Sequence, residues 1–484
     1  MTQLKRAPAA PRQGRIGIVH LGLGAFHRAH QAVYLERYRQ RTGDAAWGIS
    51  SANLRSSVGL VDTLREAGHC HHVAEYADSE SVTLREIGVI EETLFTGQED
   101  GQWGRDLEAL LTRMTAPETR IVTLTVTEKG YFLSPASGDL LIDDPMIAFD
   151  IANPASPRTA PGILVEALAR RRAAGVAPFT VLSCDNMPDN GKRTRAAVSQ
   201  LAARRDAALA EWVERAVAFP CSMVDRIVPA MTETDFARLA ELGVEDKNAV
   251  VCEAFAQWVV EEDFPQGRPA WEADGVEMVS DVAPFEAMKL RMLNGSHSLL
   301  AYLGALDGIA TVFEAVSRDD LETLLRRYML EEAAPTLAMP EGTDLEEYAE
   351  RLIARFANDS LRHRLQQIAM DGSQKLPQRW LDGAGMRLEA GEPVPCTTLG
   401  IAAWIRYTKG EDLSGNPYPV DDPLAEHFQA LHQRHGEDAD TLVRAFLAED
   451  AIFAPELAQM PGFREAVVTA YHTLTQRSLS AALA

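Results

Sequence analysis

Short runs rich in β-branched residues alternate with helical patterns through the first half of the chain. Three such runs are AWGISSANL (46–54), IVTLTVTEKGY (121–131) and FTVLSCDN (179–186), and segments such as LVEALARRRAAG lie between them. Parallel strands need crossover connections of a dozen residues or more, and helices usually supply them. The first half is therefore predicted to be an α/β fold built on a parallel sheet.

The β-rich runs stop near residue 285. From there, leucine, alanine, arginine and glutamate recur at helical spacing, as in LETLLRRYMLEE (321–332), LEEYAERLIARF (345–356) and LRHRLQQIAM (361–370). Such periodicity indicates amphipathic helices. The chain is thus expected to form two domains, an α/β domain over residues 1–284 and a mainly helical domain over residues 285–484, a division that suits its length of 484 residues.

The charge of the chain excludes several classes of partner. A formal net charge of −23 repels phosphate backbones and anionic lipid surfaces, so neither nucleic acid nor a membrane is expected to bind. An anionic substrate would need lysine or arginine placed close to it, because the overall field opposes its approach. A small-molecule substrate therefore remains the expected partner.

Five cysteines are scattered without paired spacing, and this odd, sparse count predicts reduced thiols and a cytoplasmic location. Residues 1–14 contain basic residues and prolines but no apolar core of a signal peptide. No run of about 18 apolar residues occurs in the sequence, so no membrane anchor is expected. The sequence leaves the oligomeric state open between a monomer and a small homo-oligomer.

A glycine turn follows the first predicted strand, in RIGIVHLGLGAFHRAHQ (15–31). Gly22 and Gly24 permit a tight turn and let backbone amides approach a pyrophosphate at the start of a helix, where Ala25 and Phe26 follow. His27 occupies the place of the third glycine in the usual fingerprint, so a turn that serves packing alone stays an alternative. Its position after a strand favours a Rossmann-like dinucleotide-binding domain over residues 1–284.

The end of the second predicted strand leaves the choice of cofactor open. A carboxylate at this place commonly binds the ribose of NAD, but the strand ends at Asn53, Leu54 and Arg55. Arg55 could bind the 2′-phosphate of NADP or could be a solvated surface arginine. NAD is expected, and NADP is not excluded.

A lysine, an asparagine and a histidine interrupt an apolar helical pattern in PFEAMKLRMLNGSH (284–297). At about 100° per residue, Glu286, Lys289 and His297 fall within an arc of about 80°, with Asn294 at its shoulder. These side chains can therefore converge on one point. The competing interpretation is a helix end with an exposed Lys289, a cap at Asn294 and a histidine that only fills the core.

The same residue types suit a dehydrogenase. A desolvated lysine has a pKa closer to neutrality and can exchange a proton with a substrate hydroxyl. Asn294 can donate a hydrogen bond to an oxygen that gains negative charge, and His297 can hold the substrate in place. A second polar cluster, SCDNMPDNG (183–191), follows a strand at the carboxyl edge of the predicted sheet, where open α/β folds bind ligands.

Six segments together resemble the polyol-specific long-chain dehydrogenases, the mannitol 2-dehydrogenase and fructuronate reductase family. They are GLGAFHRAHQ, TVTEKGY, SCDNMPDNG, FPCSMVDRIVP, CEAFAQWVVEEDF and PFEAMKLRMLNGSH. The resemblance covers nearly the whole chain, with the segments in the same order.

The resemblance implies a role for each of several residues. Lys289 is implied to be the catalytic acid and base, acting without a metal, and Asn186 and Asn294 to hold the reacting oxygen. Three further residues are implied to act at the substrate or beside the lysine: His297 and Asp225 near the substrate hydroxyls, and Glu286 linking the lysine to solvent. Lys375 in MDGSQKLPQR resembles a substrate-contacting lysine of the helical domain.

Within the family the sequence looks closer to the fructuronate reductase branch. Lys129 in TVTEKGY stands where the mannitol branch resembles TEGGY, and Gln367 stands where that branch carries an arginine. Lys129 could supply the positive charge that a carboxylate substrate needs against the net charge of −23. Arg362, Arg364 and Arg379 are further candidates for this contact.

These observations predict an NAD(H)-dependent enzyme that interconverts D-fructuronate and D-mannonate, with Lys289 moving the proton. A dehydrogenase for a neutral polyol, such as mannitol or arabinitol, is the nearest alternative. A nucleotide-binding protein without catalysis on the same fold is a second alternative. A metal-dependent isomerase that uses GHCHHV (68–73) is not favoured, because adjacent histidines in one short run rarely all face one ion.

Overall fold

The structure is a computed structural model. It describes residues 3–11, 14–55, 57–135, 137–360, 362–436, 438–460, 462–476 and 479–483. The chain divides into two compact units, Met1–Ala283 and Pro284–Ala484.

All fourteen strands among the described residues belong to the first unit. They are β1 Gln3–Ala7, β2 Ile16–Leu21, β3 Gly48–Asn53, β4 His71–Tyr76, β5 Ser81–Ile87, β6 Ile90–Phe95, β7 Gln98–Glu99, β8 Gln102–Trp103, β9 Ile121–Leu124, β10 Thr180–Ser183, β11 Ser222–Asp225, β12 Val250–Glu253, β13 Gln257–Glu261 and β14 Val276–Val279.

The central sheet of the first unit has five parallel strands in the order β10-β9-β2-β3-β6. Numbered along the chain, this is the order 3-2-1-4-5 of a doubly wound dinucleotide-binding sheet. The order reverses between β2 and β9, and ligands of such sheets bind at the carboxyl ends of the strands beside this point. The predicted parallel sheet is confirmed.

Both faces of the sheet are covered, as an all-parallel sheet requires. In β2, Val19 and Leu21 pack into one apolar cluster with Ile163 and Leu168, whereas Ile18 packs into a second cluster on the other face. All these side chains are almost completely buried. Strands this buried explain why the sequence shows near-continuous apolar runs rather than alternation.

Three smaller sheets complete the first unit and were not predicted. The strands of the first run in the order β1-β5-β4-β12, those of the second in the order β11-β13-β14, and β7 and β8 form a two-stranded sheet. The loop predicted over residues 261–275 contains a single short helical turn at Trp271–Asp274 before β14.

The α-helices connect the strands of the first unit and form nearly all of the second. They are α1 Ala25–Ala29, α2 Gln31–Thr42, α3 Val58–Glu66, α4 Leu107–Thr115, α5 Pro145–Ala152, α6 Ala160–Ala174, α7 Asn190–Arg205, α8 Ala207–Ala216, α9 Glu233–Glu241, α10 Ala283–Met288, α11 Gly295–Leu306, α12 Val312–Val316, α13 Asp319–Arg327, α14 Leu345–Phe356, α15 Leu365–Ala369, α16 Gly372–Leu376, α17 Asp382–Glu389, α18 Pro395–Tyr407, α19 Ala425–His435, α20 Ala439–Leu447, α21 Pro455–Ala458, α22 Phe463–Gln476 and α23 Leu479–Leu483.

Two helices that are buried on nearly all sides form the centre of the second unit. In α18, Cys396–Tyr407 is buried throughout, and α11 is buried along nearly all of its length. The two helices pack against each other, and α22 covers α18. Helices with almost no exposed face are typical of the interior of such a bundle.

Three segments of the second unit are π-helical, with backbone bonds from residue i to i+5: Lys289–Asn294, Tyr328–Ala333 and Pro377–Leu381. The helix expected over LRHRLQQIAM (361–370) is confirmed only in part. Leu361 lies outside the described residues, and α15 covers Leu365–Ala369 of the remaining 362–370. The preceding backbone instead bonds to another segment, because Val312 N donates to the His363 carbonyl. Within the described part of the chain, no helix is both long and apolar enough to cross a membrane.

Candidate active site

The glycine turn lies where the strand order reverses. Gly22 directly follows β2 at a φ of +111°, and a side chain at this position would overlap the backbone of Thr125. The predicted tight turn is therefore present. The predicted helix after the turn is present but is interrupted at His30, where α1 (Ala25–Ala29) gives way to α2 (Gln31–Thr42).

A cavity of about 290 Å³ opens at the carboxyl ends of β2, β3 and β9. Gly22, Gly24, Asn53, Arg55 and Thr127 contribute to its lining. The structure thus brings five residues from three strand ends to one place, and four of them belong to the predicted cofactor site. Ala25 and Phe26 lie at the start of α1, directly after Gly24.

Asn53 fixes the end of β3 against the glycine turn. Its side-chain amide donates to the Leu23 carbonyl over 3.2 Å, and its side-chain oxygen accepts the Arg55 amide over 3.2 Å. Arg55 is exposed, and its guanidinium lies 5.8 Å from the centre of the Phe132 ring. Because the guanidinium is exposed at this edge, both interpretations of Arg55, a contact to a 2′-phosphate and a solvated arginine, stay open.

Two stacked histidines pack beside the glycine turn, and one of them, His20, hydrogen bonds to the Gly22 carbonyl. The rings of His20 and His27 lie 3.4 Å apart between centroids, and His20 hydrogen bonds to Thr123 and Thr125. Burial lowers the pKa of His20 to about 3 and that of His27 well below its usual value. Both rings are therefore neutral, which allows them to stack inside the domain. His27 thus packs against β2 in the place of the missing third glycine.

Asp185 joins two segments at the strand ends, and the sequence analysis did not single it out although it stands in the predicted cluster SCDNMPDNG. Its carboxylate accepts hydrogen bonds from Val126 N at 3.0 Å, Thr127 N at 2.9 Å and the Tyr131 hydroxyl at 2.6 Å. Burial raises the pKa of Asp185, and these three donors partly oppose the increase. The residue therefore joins the segment after β10 to the segment after β9.

The other predicted residues of the first unit follow strand ends. Asn186 is exposed directly after Asp185, and Lys129 is exposed in the single helical turn Glu128–Tyr131. The bonds of Asp185 connect the two segments that carry them. Asp225 is buried as the last residue of β11.

The predicted residues Glu286, Lys289, Asn294 and His297 lie on one continuous helical segment of the second unit. Lys289 is 7% exposed and His297 is 8% exposed. The competing interpretation of a surface lysine at a helix end is therefore wrong, since the lysine is buried and the helix continues through Gly295.

The spacing argument assumed an α-helix throughout and is wrong in that respect. Lys289–Asn294 is a π-turn. In a π-turn, residues five apart lie one above the other on the same face, as residues four apart do in an α-helix. Lys289 and Asn294, the first and last residues of the turn, are five apart. The π-turn therefore moves Asn294 from the shoulder of the arc toward the face of Lys289, and such turns occur frequently at functional sites.

Lys375 lies half-buried in α16, and its Nζ donates to the Met370 carbonyl over 2.5 Å. Burial lowers its pKa, and the nearby Arg379 guanidinium lowers it further. Arg379 itself donates to Ser298 Oγ over 2.8 Å, and Ser298 lies on α11 directly after His297. The segment of Lys375 is thus tied to the helix of Lys289.

The histidines of GHCHHV make bonds within the protein. His71 Nε2 donates to the Arg28 carbonyl over 3.2 Å, and His72 Nδ1 donates to Asp246 over 3.0 Å. Among the described residues, no group of three or more histidine, cysteine, aspartate or glutamate side chains could hold a metal ion.

A larger cavity of about 770 Å³ lies in the second unit between α18 and α22, with mainly apolar walls. Of the residues described along those walls, none is a predicted site residue. The smaller cavity at the strand ends is therefore the better candidate for the cofactor site, because it combines the glycine turn with several polar groups.

Models of two domains match nearly the whole chain. The mannitol dehydrogenase Rossmann domain matches residues 16–273, and the mannitol dehydrogenase C-terminal domain matches residues 281–475. The chain belongs to the mannitol dehydrogenase family. The resemblance seen in the sequence is thereby confirmed, as is the fold of a Rossmann-type domain followed by a mainly helical domain.

Several members of the mannitol dehydrogenase family are similar to the chain over most of its length. The D-mannonate oxidoreductase of Escherichia coli is 48% identical over 95% of this chain and 93% of its own. The mannitol 2-dehydrogenase of Pseudomonas fluorescens, solved with NAD and D-mannitol, is 36% identical with a TM-score of 0.80 over 99% of this chain and 96% of its own. A D-sorbitol dehydrogenase solved without substrate is 31% identical with a TM-score of 0.91, over 99% of this chain and 97% of its own.

The residues at the strand ends fit the dinucleotide that this family implies. The positive φ of Gly22 and the lack of a side chain at Gly24 leave the backbone after β2 accessible to a pyrophosphate. Asn53 and Arg55 stand where the adenosine ribose would be bound, at the end of β3. Gly22, Gly24, Asn53 and Arg55 line the observed cavity, whereas Ala25 and Phe26 follow it at the start of α1.

Proposed function

We propose that this member of the mannitol dehydrogenase family reduces D-fructuronate to D-mannonate with NADH and catalyses the reverse oxidation with NAD. The reaction class and cofactor follow from the family: the chain is an NAD-dependent oxidoreductase that acts on a CH–OH group, as the sequence predicted. The substrate and the roles of the individual residues are the proposal.

One observation carries the choice of substrate. The chain is 48% identical to the D-mannonate oxidoreductase of E. coli over 95% of its length, compared with 36% identity to the mannitol 2-dehydrogenase of P. fluorescens. The exposed Lys129, in the segment held by Asp185, agrees with this choice. An ammonium group there can attract a carboxylate that the net charge of the chain would otherwise repel.

When bound, NADH supplies the hydride. The chain must then deliver a proton to the carbonyl oxygen of the substrate and stabilise the charge that develops on it. Lys289, which is 7% exposed, moves the proton between substrate and solvent. Asn186 and Asn294 donate hydrogen bonds to the same oxygen, because a side-chain amide aimed at a developing alkoxide lowers the barrier.

Four further side chains complete the proposed site. Glu286, three residues before Lys289 on the same helical segment, connects the lysine to solvent. His297, Asp225 and Lys375 bind the hydroxyl groups of the substrate. A buried position suits His297 and Asp225 for this role, since water competes less for their hydrogen bonds there.

A neutral polyol dehydrogenase is the second candidate. The P. fluorescens enzyme, solved with D-mannitol, shares the fold at a TM-score of 0.80. Mannitol and mannonate differ only at the first carbon, which is a hydroxymethyl group in mannitol and a carboxylate in mannonate. A site for mannonate therefore needs a positive charge near this carbon. The exposed lysine at position 129 favours the carboxylate.

We also propose that the protein acts in the cytoplasm, as a monomer or small homo-oligomer, without nucleic-acid or membrane partners. The scattered cysteines support a reducing compartment. The net charge of −23 disfavours polyanionic partners.

The test is NADH oxidation at 340 nm by purified protein with EDTA present and with D-fructuronate, D-tagaturonate and D-fructose compared side by side. The proposal predicts that kcat/KM for fructuronate exceeds that for fructose by at least 100-fold. Fructose lacks the carboxylate and so loses both the charge-assisted contact and the orientation that this contact gives to the substrate. Faster turnover of fructose would assign the protein to the neutral polyols. If the protein turned over none of the three substrates, the proposed reaction would be contradicted.

A further inference from the structure

Three π-turns of the second unit meet at the hydroxyl group of Tyr328. One contains Lys289 and Asn294, the second begins at Tyr328 itself, and the third contains Arg379. Tyr328 Oη lies 2.7 Å from the carbonyl oxygen of Arg291 and 3.2 Å from that of Arg379. A single buried hydroxyl therefore contacts the backbone of both other turns.

The Arg291 carbonyl does not receive the hydrogen bond that an α-helix would give it. In an α-helix, the amide of Gly295 would bond to the carbonyl four residues earlier, at Arg291. Here Gly295 N bonds to the carbonyls of Leu290 and Met292 instead. The Tyr328 hydroxyl donates to the Arg291 carbonyl and so takes the place of the α-helical bond that Gly295 N does not make.

Other side chains complete this arrangement. A methyl group at Gly295 would overlap the Tyr328 hydroxyl, so only glycine leaves room for it. The Gly295 carbonyl accepts from Trp380 Nε1 over 3.1 Å, and the Asn294 carbonyl accepts from the Arg379 guanidinium over 3.4 Å. Three carbonyls around the turn thus accept hydrogen bonds from side chains of two later segments.

We propose that Tyr328 is a positioning residue for the reaction and that its hydroxyl holds the π-turn in which Lys289 and Asn294 share a face. The inference rests on the proposed function of Lys289. If the turn returned to α-helical geometry, residues five apart would diverge by about 140° around the helix axis. Lys289 and Asn294 could then no longer act on one substrate oxygen.

The first test replaces the hydroxyl alone, in Tyr328→Phe. The matched control is Tyr418→Phe, which removes a hydroxyl of the same unit that donates over 3.0 Å to the carbonyl of Tyr407, a residue outside the three π-turns. Tyr328→Phe is expected to lower kcat with fructuronate at least tenfold and to shift the basic limb of its pH profile. The Kd for NADH should stay within twofold of the wild-type value, and the control should keep kcat within twofold.

Hydrogen exchange supplies a readout independent of turnover. Amides of residues 290–296 should exchange at least tenfold faster in Tyr328→Phe than in the wild type, and they should be unchanged in Tyr418→Phe. Gly295→Ala should reproduce both effects, because its methyl group displaces the hydroxyl without removing it. This second variant keeps the proposal testable if Tyr328→Phe does not fold.

The outcomes separate this inference from the proposed function. If Lys289→Ala abolishes turnover but Tyr328→Phe keeps kcat within twofold of its control, the positioning role is wrong. Loss of kcat with unchanged exchange at residues 290–296 would also contradict it. If the wild type is inactive or Lys289→Ala stays active, the proposed function has failed, and the exchange experiment alone decides whether Tyr328 holds the turn.

Discussion

The carboxylate of Asp185 accepts the amide hydrogen of Thr127 over 2.9 Å and thereby holds a β-branched residue at a φ of +65° and a ψ of 162°. This backbone region is occupied almost only by glycine, so the conformation costs on the order of 1–3 kcal/mol. Thr127 lines the cavity at the strand ends. The strain is therefore located where the cofactor is expected to bind.

Asp185→Asn is expected to weaken NADH binding roughly tenfold, the equivalent of one hydrogen bond to a charged group. An NH2 group replaces one carboxylate oxygen and cannot accept a hydrogen bond from an N–H group, so part of the segment after β9 is released. Asp189→Asn is the matched control, because Asp189 lies in the same turn but is exposed and pairs with Lys192. Equal Kd values for NADH in the two variants, measured by fluorescence quenching, would exclude the role of Asp185.

Lys129→Ala is expected to raise KM for fructuronate roughly tenfold and KM for fructose less than twofold, since only the first substrate carries a carboxylate. Lys247→Ala removes the same charge from an exposed loop of the first unit and controls for the change in net charge. Steady-state kinetics with both substrates provides the measurement. A similar effect on both KM values would show that Lys129 does not bind the carboxylate.

Arg55→Ala is expected to raise the Kd for NADPH at least fivefold and the Kd for NADH less than twofold. A 2′-phosphate would lose a charge-assisted contact at the end of β3, whereas the ribose of NADH has no such group. Calorimetric titration with each nucleotide gives both values. If the Kd for NADPH and the Kd for NADH changed by the same factor, Arg55 would be a solvated surface residue that does not contact the 2′-phosphate.

Acid is expected to unfold the first unit. Burial lowers the pKa of His20 and His71 to about 3, and that of His27 falls well below 6.5. In the unfolded chain these groups bind protons near pH 6.5, so stability is present above that pH and is lost as the pH falls toward 3. Three such groups predict a loss of ~4 kcal/mol per pH unit below about pH 5.5.

The measurement is the free energy of unfolding in denaturant between pH 7.5 and 4.5. His71→Gln, which removes one of the three titrating rings, should reduce the slope by about a third. A free energy of unfolding that does not change over this range would show that the histidines are not kept neutral by the fold.

Sequence patterns predicted the features that depend on neighbouring residues. The end of β3 at Asn53 and the glycine turn at Gly22 follow from local runs and turn chemistry, and both are present. The burial of Lys289 was the more favoured of two interpretations. It rested on the coincidence of two polar clusters, because periodicity alone does not distinguish a buried lysine from an exposed one.

Features that depend on distant contacts were missed. The Arg291 carbonyl in the π-turn Lys289–Asn294 accepts a hydrogen bond from Tyr328, which lies 37 residues later in the chain. The carboxylate of Asp185 bonds to amides 58 and 59 residues earlier in the chain. The segment before α15 likewise bonds to Val312 rather than continuing the helix that its periodicity predicts. A local sequence pattern cannot predict hydrogen bonds to partners so far away in the chain.

The most direct test of the proposed chemistry compares the wild type with Lys289→Ala and Lys409→Ala in NADH-dependent reduction of fructuronate. Lys409 is an exposed lysine of the same unit, paired with Glu411. Loss of the proton donor should lower kcat by roughly 1,000-fold or more in Lys289→Ala, with the Kd for NADH within threefold of the wild type. Lys409→Ala should match the wild type. A kcat for Lys289→Ala within tenfold of the wild-type value would contradict the central role of this lysine.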